Sequence, residues 1–172
     1  MIKILLLDFD GILTNGKKSY SKDGICNSKE LCDKDFTAIK RFIANGVPVF
    51  FLTGDPWNEN VLKNRNLPFL ITRGLKKDEC AIEVLSKYNI DIKQCAYIGD
   101  DIFDLELLSI VGHPFCPNDA IQDCKNTSVV LNCNGGENLI NYFFEYCVSR
   151  KLIQISKNEI KKILDLDEKE KF

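Results

Sequence analysis

Residues 4–7, Ile-Leu-Leu-Leu, form an apolar run with no polar alternation, and the run ends abruptly in Asp8-Phe9-Asp10-Gly11. A strand apolar at every position must be covered on both faces, which selects a parallel sheet held between two layers of helices. Ligands gather at the carboxyl ends of the strands in such sheets. Asp8 and Asp10 are therefore aimed at a pocket, and Gly11 lets the backbone turn sharply there. The rest of the chain repeats the pattern, with strands expected over 2–8, 47–52, 69–71, 95–98, 114–116 and 127–131 and helices over 34–45, 57–65, 77–89, 102–110, 118–124 and 137–150.

Three further strand or helix ends carry polar groups in an informative order. The run Val47 to Leu52 stops at Thr53-Gly54, a hydroxyl and a flexible turn able to hold a phosphate oxygen. Lys76-Lys77 opens an amphipathic stretch, and counting back from the next acidic cluster favours Lys77 as the residue that reaches the pocket, with Lys76 its alternative. Cys95 to Ile98 then runs into Gly99-Asp100-Asp101-Ile102-Phe103-Asp104, a second acidic cluster at a strand end.

Phosphoryl transfer from a monoester needs a nucleophile, a proton donor, a cation and phosphate ligands. Asp8 is the candidate nucleophile, forming an aspartyl-phosphate that water later hydrolyses. Asp10 would protonate the leaving alkoxide and then activate water. Asp8, Asp10 and Asp100 are the candidate positions for Mg²⁺, which prefers oxygen ligands, with Asp101 and Asp104 behind them. Thr53, Gly54 and Lys77 would bind the phosphate oxygens as charge redistributes.

These residues, in this order and spacing, resemble the haloacid dehalogenase superfamily of phosphatases. Within it, Asp-Phe-Asp-Gly-Ile-Leu-Thr-Asn-Gly, the late Gly135-Gly136 and the lack of room for a large cap are similar to the capless subfamily. Its members include phosphatases of 3-deoxy-D-manno-octulosonate 8-phosphate and of nine-carbon sugar acid phosphates. The resemblance implies a Rossmann-like core, Mg²⁺, a sugar phosphate or sugar-acid phosphate substrate, and a homotetramer in which a β-hairpin after the first motif completes a neighbour's site. Residues 17–29, turning at Lys22-Asp23-Gly24, are the matching hairpin, and 1–154 the single phosphatase domain, with 155–172 a charged amphipathic helix or tail. The chain departs from the pattern at Asp55, where relatives often carry arginine, at Asp35-Phe36 in place of Asp-Gly, and after Gly135-Gly136, where no arginine follows. Arginine forks grip carboxylates, so these positions do not supply that grip.

Composition narrows the alternatives. A chain of 172 residues with 45% hydrophobic content can bury a full core, and net charge −2 without a basic stripe disfavours a nucleic-acid partner. No run of about 18 apolar residues points to a membrane span, and a cytoplasmic protein is expected. The eight scattered cysteines lack a C-x-x-C pair and read as free thiols, and His113 is the only histidine, which leaves zinc ligation or Ser-His chemistry little to work with. A receiver-type signalling domain would place its second acidic group before the lysine, not after it. A phosphosugar-binding subunit without turnover is the other reading, disfavoured by the complete set of Asp8, Asp10, Thr53 and Lys77.

Overall fold

The computed structural model describes residues 1–170. Strand β1 (Ile4–Leu7) is followed by an antiparallel hairpin, β2 (Ser19–Tyr20) and β3 (Cys26–Ser28), inside the expected 17–29 segment. Then come β4 (Val49–Thr53), β5 (Phe69–Ile71), β6 (Cys95–Ile98), β7 (His113–Cys116) and β8 (Val129–Val130), which join β1 in one parallel sheet of order β5-β4-β1-β6-β7-β8. The chain moves outward from β1 to β4 and β5, then crosses back to β6 on the other side. β1 thus lies at the reversal of strand order, where an open sheet leaves a crevice.

The helices are α1 (Asp33–Ala44), α2 (Asn58–Asn64), α3 (Lys77–Tyr88), α4 (Leu105–Ile110), α5 (Gln122–Thr127), α6 (Leu139–Ser149) and α7 (Glu159–Asp167). The all-apolar β1 is explained by its two neighbours. Leu5 and Leu7 face α1 and α6 through Phe36, Phe42, Phe143 and Phe144, while Ile4 and Leu6 face α3 and α4 through Ala81, Val84 and Leu107. All four β1 side chains are fully buried, each contributing about 1.5–3 kcal/mol.

Two expected helices differ. The one expected over 118–124 begins at Gln122, because residues 117–120 form a turn in which the Asp119 carboxylate accepts from the Gly135 N–H at 3.0 Å. Its later end takes Thr127, leaving β8 shorter than the expected 127–131 strand. The helix expected over 102–110 divides into a 3₁₀ turn, Ile102–Asp104, and α4, because Asp104 folds its carboxylate back onto the preceding backbone. His113 lies partly buried in β7, and the eight cysteines are free thiols, five of them buried. No helix among the described residues is long and apolar enough to cross a membrane.

Helix α7 buries no side chain and is fastened to α1 by charge: Arg41 meets Glu159 at 3.0 Å, and Lys40 pairs with Asp167 and, at 3.0 Å, with Glu170. Residues 171–172 of the expected tail lie outside the described residues. At the other end of α1, fully buried Asp35 accepts from the Ile140 and Asn141 N–H groups at 2.8 and 3.2 Å, bonding the first turn of α6, while its Oδ2 has no partner. Burial pushes this carboxyl up to about 6, against those backbone donors. The folded state therefore holds the proton more tightly than the unfolded chain, so ionisation costs stability as pH rises from about 4 to 6. Relative to Asp35→Asn, the wild type should lose stability over that window and stay level above it. Paired urea titrations from pH 4 to 7.5 measure this difference, and a flat difference would contradict it.

Candidate active site

The carboxyl ends of β1, β4 and β6 bring Asp8, Thr53 and Asp100 to the crevice, and the start of α3 adds Lys77. Asp8 and Lys77 are buried and paired at 2.8 Å, with Lys77 also 2.6 Å from Asp104. Lys76 is exposed, so the lysine that reaches the pocket is Lys77. Gly11 adopts φ +81°, and a Cβ there would sit 2.0 Å from Asp100 Oδ2. The glycine thus clears the space in which the two acidic motifs meet. Gly135 and Gly136 close the loop from behind, since a Cβ on Gly135 would lie 1.8 Å from the Gly11 carbonyl oxygen.

Asp104 is fully committed. Its Oδ1 accepts from Lys77 and from the Tyr97 hydroxyl at 2.5 Å, and its Oδ2 accepts from the Asp100 and Asp101 N–H groups at 2.9 and 3.0 Å. Asp8, Asp100 and Asp104 can bring one oxygen each within 4.8 Å of one another. Each Asp104 oxygen takes two donors, whereas Asp8 takes one on each, from the Phe9 N–H at 2.7 Å and from Lys77, so the open positions for a cation belong to Asp8 and Asp100. Asp101 is exposed and caps the following turn at the Ile102 N–H.

The acidic set fits a divalent cation. Burial, then the Asp104 charge, pushes Asp8 up to about 7 against Lys77, and burial with Asp8 and Asp104 pushes Asp100 up to about 8. Asp100 Oδ1 is buried without a hydrogen-bond partner. Two carboxylates raised by burial and by neighbouring negative charge, one with an unfilled oxygen, are what a hard cation would relieve. Burial opposes the charge on Lys77, yet Asp8 and Asp104 hold its ammonium above the ordinary lysine range.

Hydrogen-bond arithmetic defines the phosphate donors. Thr53 Oγ1 accepts from Asn58 Nδ2 at 2.8 Å and from the Asp55 N–H at 3.4 Å. Its own hydrogen is thereby left for a ligand. Lys77 places two of its three hydrogens on Asp8 and Asp104 and keeps the third. Gly54 follows Thr53, and its carbonyl accepts from Arg73 Nε at 3.0 Å, which holds an exposed guanidinium at the edge of the site.

Asp10 stands apart from the group of three. Its carboxylate is directed toward Lys29, Asn58 and Thr14 rather than toward Asp100, at 2.8, 3.1 and 3.3 Å. Lys29, its side chain fully inaccessible, also meets Asp55 at 2.9 Å and Asn58 at 2.6 Å. Lys18 meets the same Asp55 oxygen at 2.6 Å, so that, against the cost of burial, the two lysines hold Asp55 well below the usual carboxylate range. Sequence reasoning missed Lys18, Lys29, Asn58 and Tyr97. The one available signal was Asp55, an acidic residue in a position that demands a cation nearby.

A family model for haloacid dehalogenase-like hydrolases matches residues 59–135. The chain is 28% identical over 139 residues to the 3-deoxy-D-manno-octulosonate 8-phosphate phosphatase of Haemophilus influenzae, covering 79% of this chain and 77% of that protein. Its fold matches the cobalt-bound deoxy-D-mannose-octulosonate 8-phosphate phosphatase structure from the same organism at TM-score 0.79 and 26% identity, over 86% of this chain and 88% of that one. It also matches the Moraxella catarrhalis 3-deoxy-D-manno-octulosonate 8-phosphate phosphatase, solved with magnesium, phosphate and KDO, at TM-score 0.80 and 22% identity, over 95% and 92% of the two chains.

The crowding of Asp8, Asp100 and Asp104 has a consequence for stability without turnover. Mg²⁺ at a hundredfold excess over its Kd should raise the melting temperature by roughly 5–10 °C. Asp100→Asn should abolish that rise and, in EDTA, melt no lower than the wild type, because it removes a repelled buried charge. Differential scanning fluorimetry with and without EDTA measures both, and an undiminished rise in Asp100→Asn contradicts the assignment.

Proposed function

We propose that this chain, similar to haloacid dehalogenase-like hydrolases over residues 59–135 and 28% identical to a phosphatase over 139 residues, is a Mg²⁺-dependent phosphomonoesterase that works through an aspartyl-phosphate on Asp8. The observation that carries this reading is that Lys77, with one hydrogen unclaimed, pairs with Asp8, while Thr53, its hydroxyl hydrogen unclaimed, ends the strand that pairs with β1. A nucleophile and two phosphate donors share one crevice at the end of β1.

Mg²⁺ held by Asp8 and Asp100 would offset the repulsion between a carboxylate and a phosphate dianion. The cobalt in the Haemophilus influenzae relative supports a divalent cation here. Lys77 and Thr53 would bind the equatorial phosphoryl oxygens and so set the ester P–O bond in line with Asp8. An Asp8 oxygen forms a bond to phosphorus as the ester P–O bond breaks, and Asp10 gives its proton to the departing alkoxide. Asp10, now a carboxylate, takes a proton from water as that water bonds to phosphorus and the Asp8–phosphorus bond breaks. Inorganic phosphate leaves and both aspartates return to their starting states. Asp104 orients Lys77 and the Asp100 backbone throughout.

A sugar phosphate or sugar-acid phosphate is the substrate class, with 3-deoxy-D-manno-octulosonate 8-phosphate the leading candidate on the likeness to the Haemophilus influenzae enzyme, and a nine-carbon sugar acid phosphate the alternative. Asp55 does not project a free negative charge at such a substrate, being covered by Lys18 and Lys29, and Arg73 offers a cation at the rim. Exposed Tyr20 and Ile25 on the hairpin, with Leu75 and Phe103 near the site mouth, suit a homo-oligomer, and we propose a tetramer. A cytoplasmic setting agrees with the free thiols.

Phosphate release should require Mg²⁺ and be faster from the eight-carbon sugar-acid ester than from hexose phosphates. Asp8→Asn should fold and bind phosphate yet release none, because an amide cannot form the acyl-phosphate. A malachite-green assay across a panel of sugar phosphates tests this, and wild-type turnover in Asp8→Asn would overturn it.

A further inference from the structure

Lys29 has the features of a catalytic lysine without the means to touch a substrate. Its three ammonium hydrogens are matched by three acceptors: Asp10 Oδ2 at 2.8 Å, Asp55 Oδ2 at 2.9 Å and Asn58 Oδ1 at 2.6 Å. Its side chain is 0% exposed, and the ammonium lies between the rings of Trp57 and Phe9, 5.0 and 5.7 Å from their centroids. Lys77, by contrast, keeps one hydrogen for a ligand. A buried ammonium with no free donor acts on its neighbours, and the neighbour that matters is Asp10.

The two oxygens of Asp10 are held unequally. Oδ2 accepts from Lys29 and from Asn58 Nδ2 at 3.1 Å, with Lys18 a further 3.6 Å away. Oδ1 accepts only a 3.3 Å bond from the Thr14 hydroxyl, whose oxygen is in turn fixed by the Gly11 and Gly16 N–H groups. Two strong donors on Oδ2 fix the plane of the carboxylate and leave Oδ1 as the oxygen with room for another partner.

We propose that Lys29 is a positioning residue that pins Asp10 through Oδ2 so that Oδ1 meets the leaving-group oxygen, with Asp55 and Lys18 holding Lys29 in place. This rests on the phosphomonoesterase reading above. Lys18 immediately precedes β2 and Lys29 immediately follows β3, so the two legs of the hairpin end in ammoniums that meet on one Asp55 oxygen, at 2.6 and 2.9 Å. The hairpin therefore acts on the site of its own chain through its base. Asp55, in place of the arginine common in relatives, is the anchor of this device. The compact shape of lysine suits it, since one nitrogen has to serve three oxygens that converge from three segments.

Poor leaving groups depend on a positioned proton donor and good ones do not. We therefore expect Lys29→Met to lower kcat/KM, which reports only the steps up to departure of the alcohol, at least tenfold more for a primary alkyl phosphate than for p-nitrophenyl phosphate. In the Asp10→Asn background, Lys29→Met should add no further loss on the alkyl ester, because the two residues act as a unit. Lys29→Met/Asp55→Asn removes one charge of each sign and gives the same substrate comparison if the single variant does not fold. Equal losses on both esters, or losses that multiply in Asp10→Asn, would overturn the positioning role while leaving the phosphatase reading intact. Phosphate release from neither ester by the wild type with Mg²⁺ would overturn the reading on which it rests.

Discussion

Three carboxylates, those of Asp8, Asp100 and Asp104, crowd a single buried ammonium, that of Lys77, at the end of the central strand. Buried charge of one sign is costly unless paired, and the surrounding architecture answers that cost locally. Two backbone N–H groups and the Tyr97 hydroxyl absorb Asp104. Gly11 clears the space in which Asp100 sits beside the first motif, and the Gly135-Gly136 turn fits against the backbone of residues 11–14 where side chains would not. What stays unanswered is the repulsion between Asp8 and Asp100, which a divalent cation relieves.

A second charged cluster lies beside the first and is balanced within itself. Lys18 and Lys29 face Asp10 and Asp55, two charges of each sign. The two clusters serve different ends. The unbalanced one attracts a cation and a phosphate, whereas the balanced one is preorganised and requires no ligand to hold its shape. Separating them also keeps the two aspartates of the first motif in different environments, Asp8 facing Lys77 and Asp10 facing Lys29.

Much of this was legible in the sequence because it depends on local chemistry. The apolar run of β1, the Asp8-x-Asp10-Gly11 turn, Thr53-Gly54 and the Asp100 cluster each follow from strand ends and turn residues, and their convergence follows from parallel topology. Spacing left Lys76 as an alternative to Lys77, and burial separates the two. Other features were hidden for a physical reason: they depend on long-range contact. Lys29 meets Asn58 and Asp55, 29 and 26 residues away, and nothing in the hairpin's own pattern distinguishes it from the neighbouring surface lysines. Asp35 bonds the start of α6 across 105 residues. The split of the 102–110 helix depends on where one carboxylate folds back, which periodicity does not record.

The central claim is that phosphoryl transfer passes through Asp8, and trapping the acyl-phosphate tests it most directly. Enzyme mixed with substrate and Mg²⁺, quenched within its turnover time and reduced with borotritide, should carry tritium as homoserine in the peptide containing residue 8, and Asp8→Asn should carry none. Turnover at an undiminished rate with no label at that position, or with label at Asp100, would contradict the account.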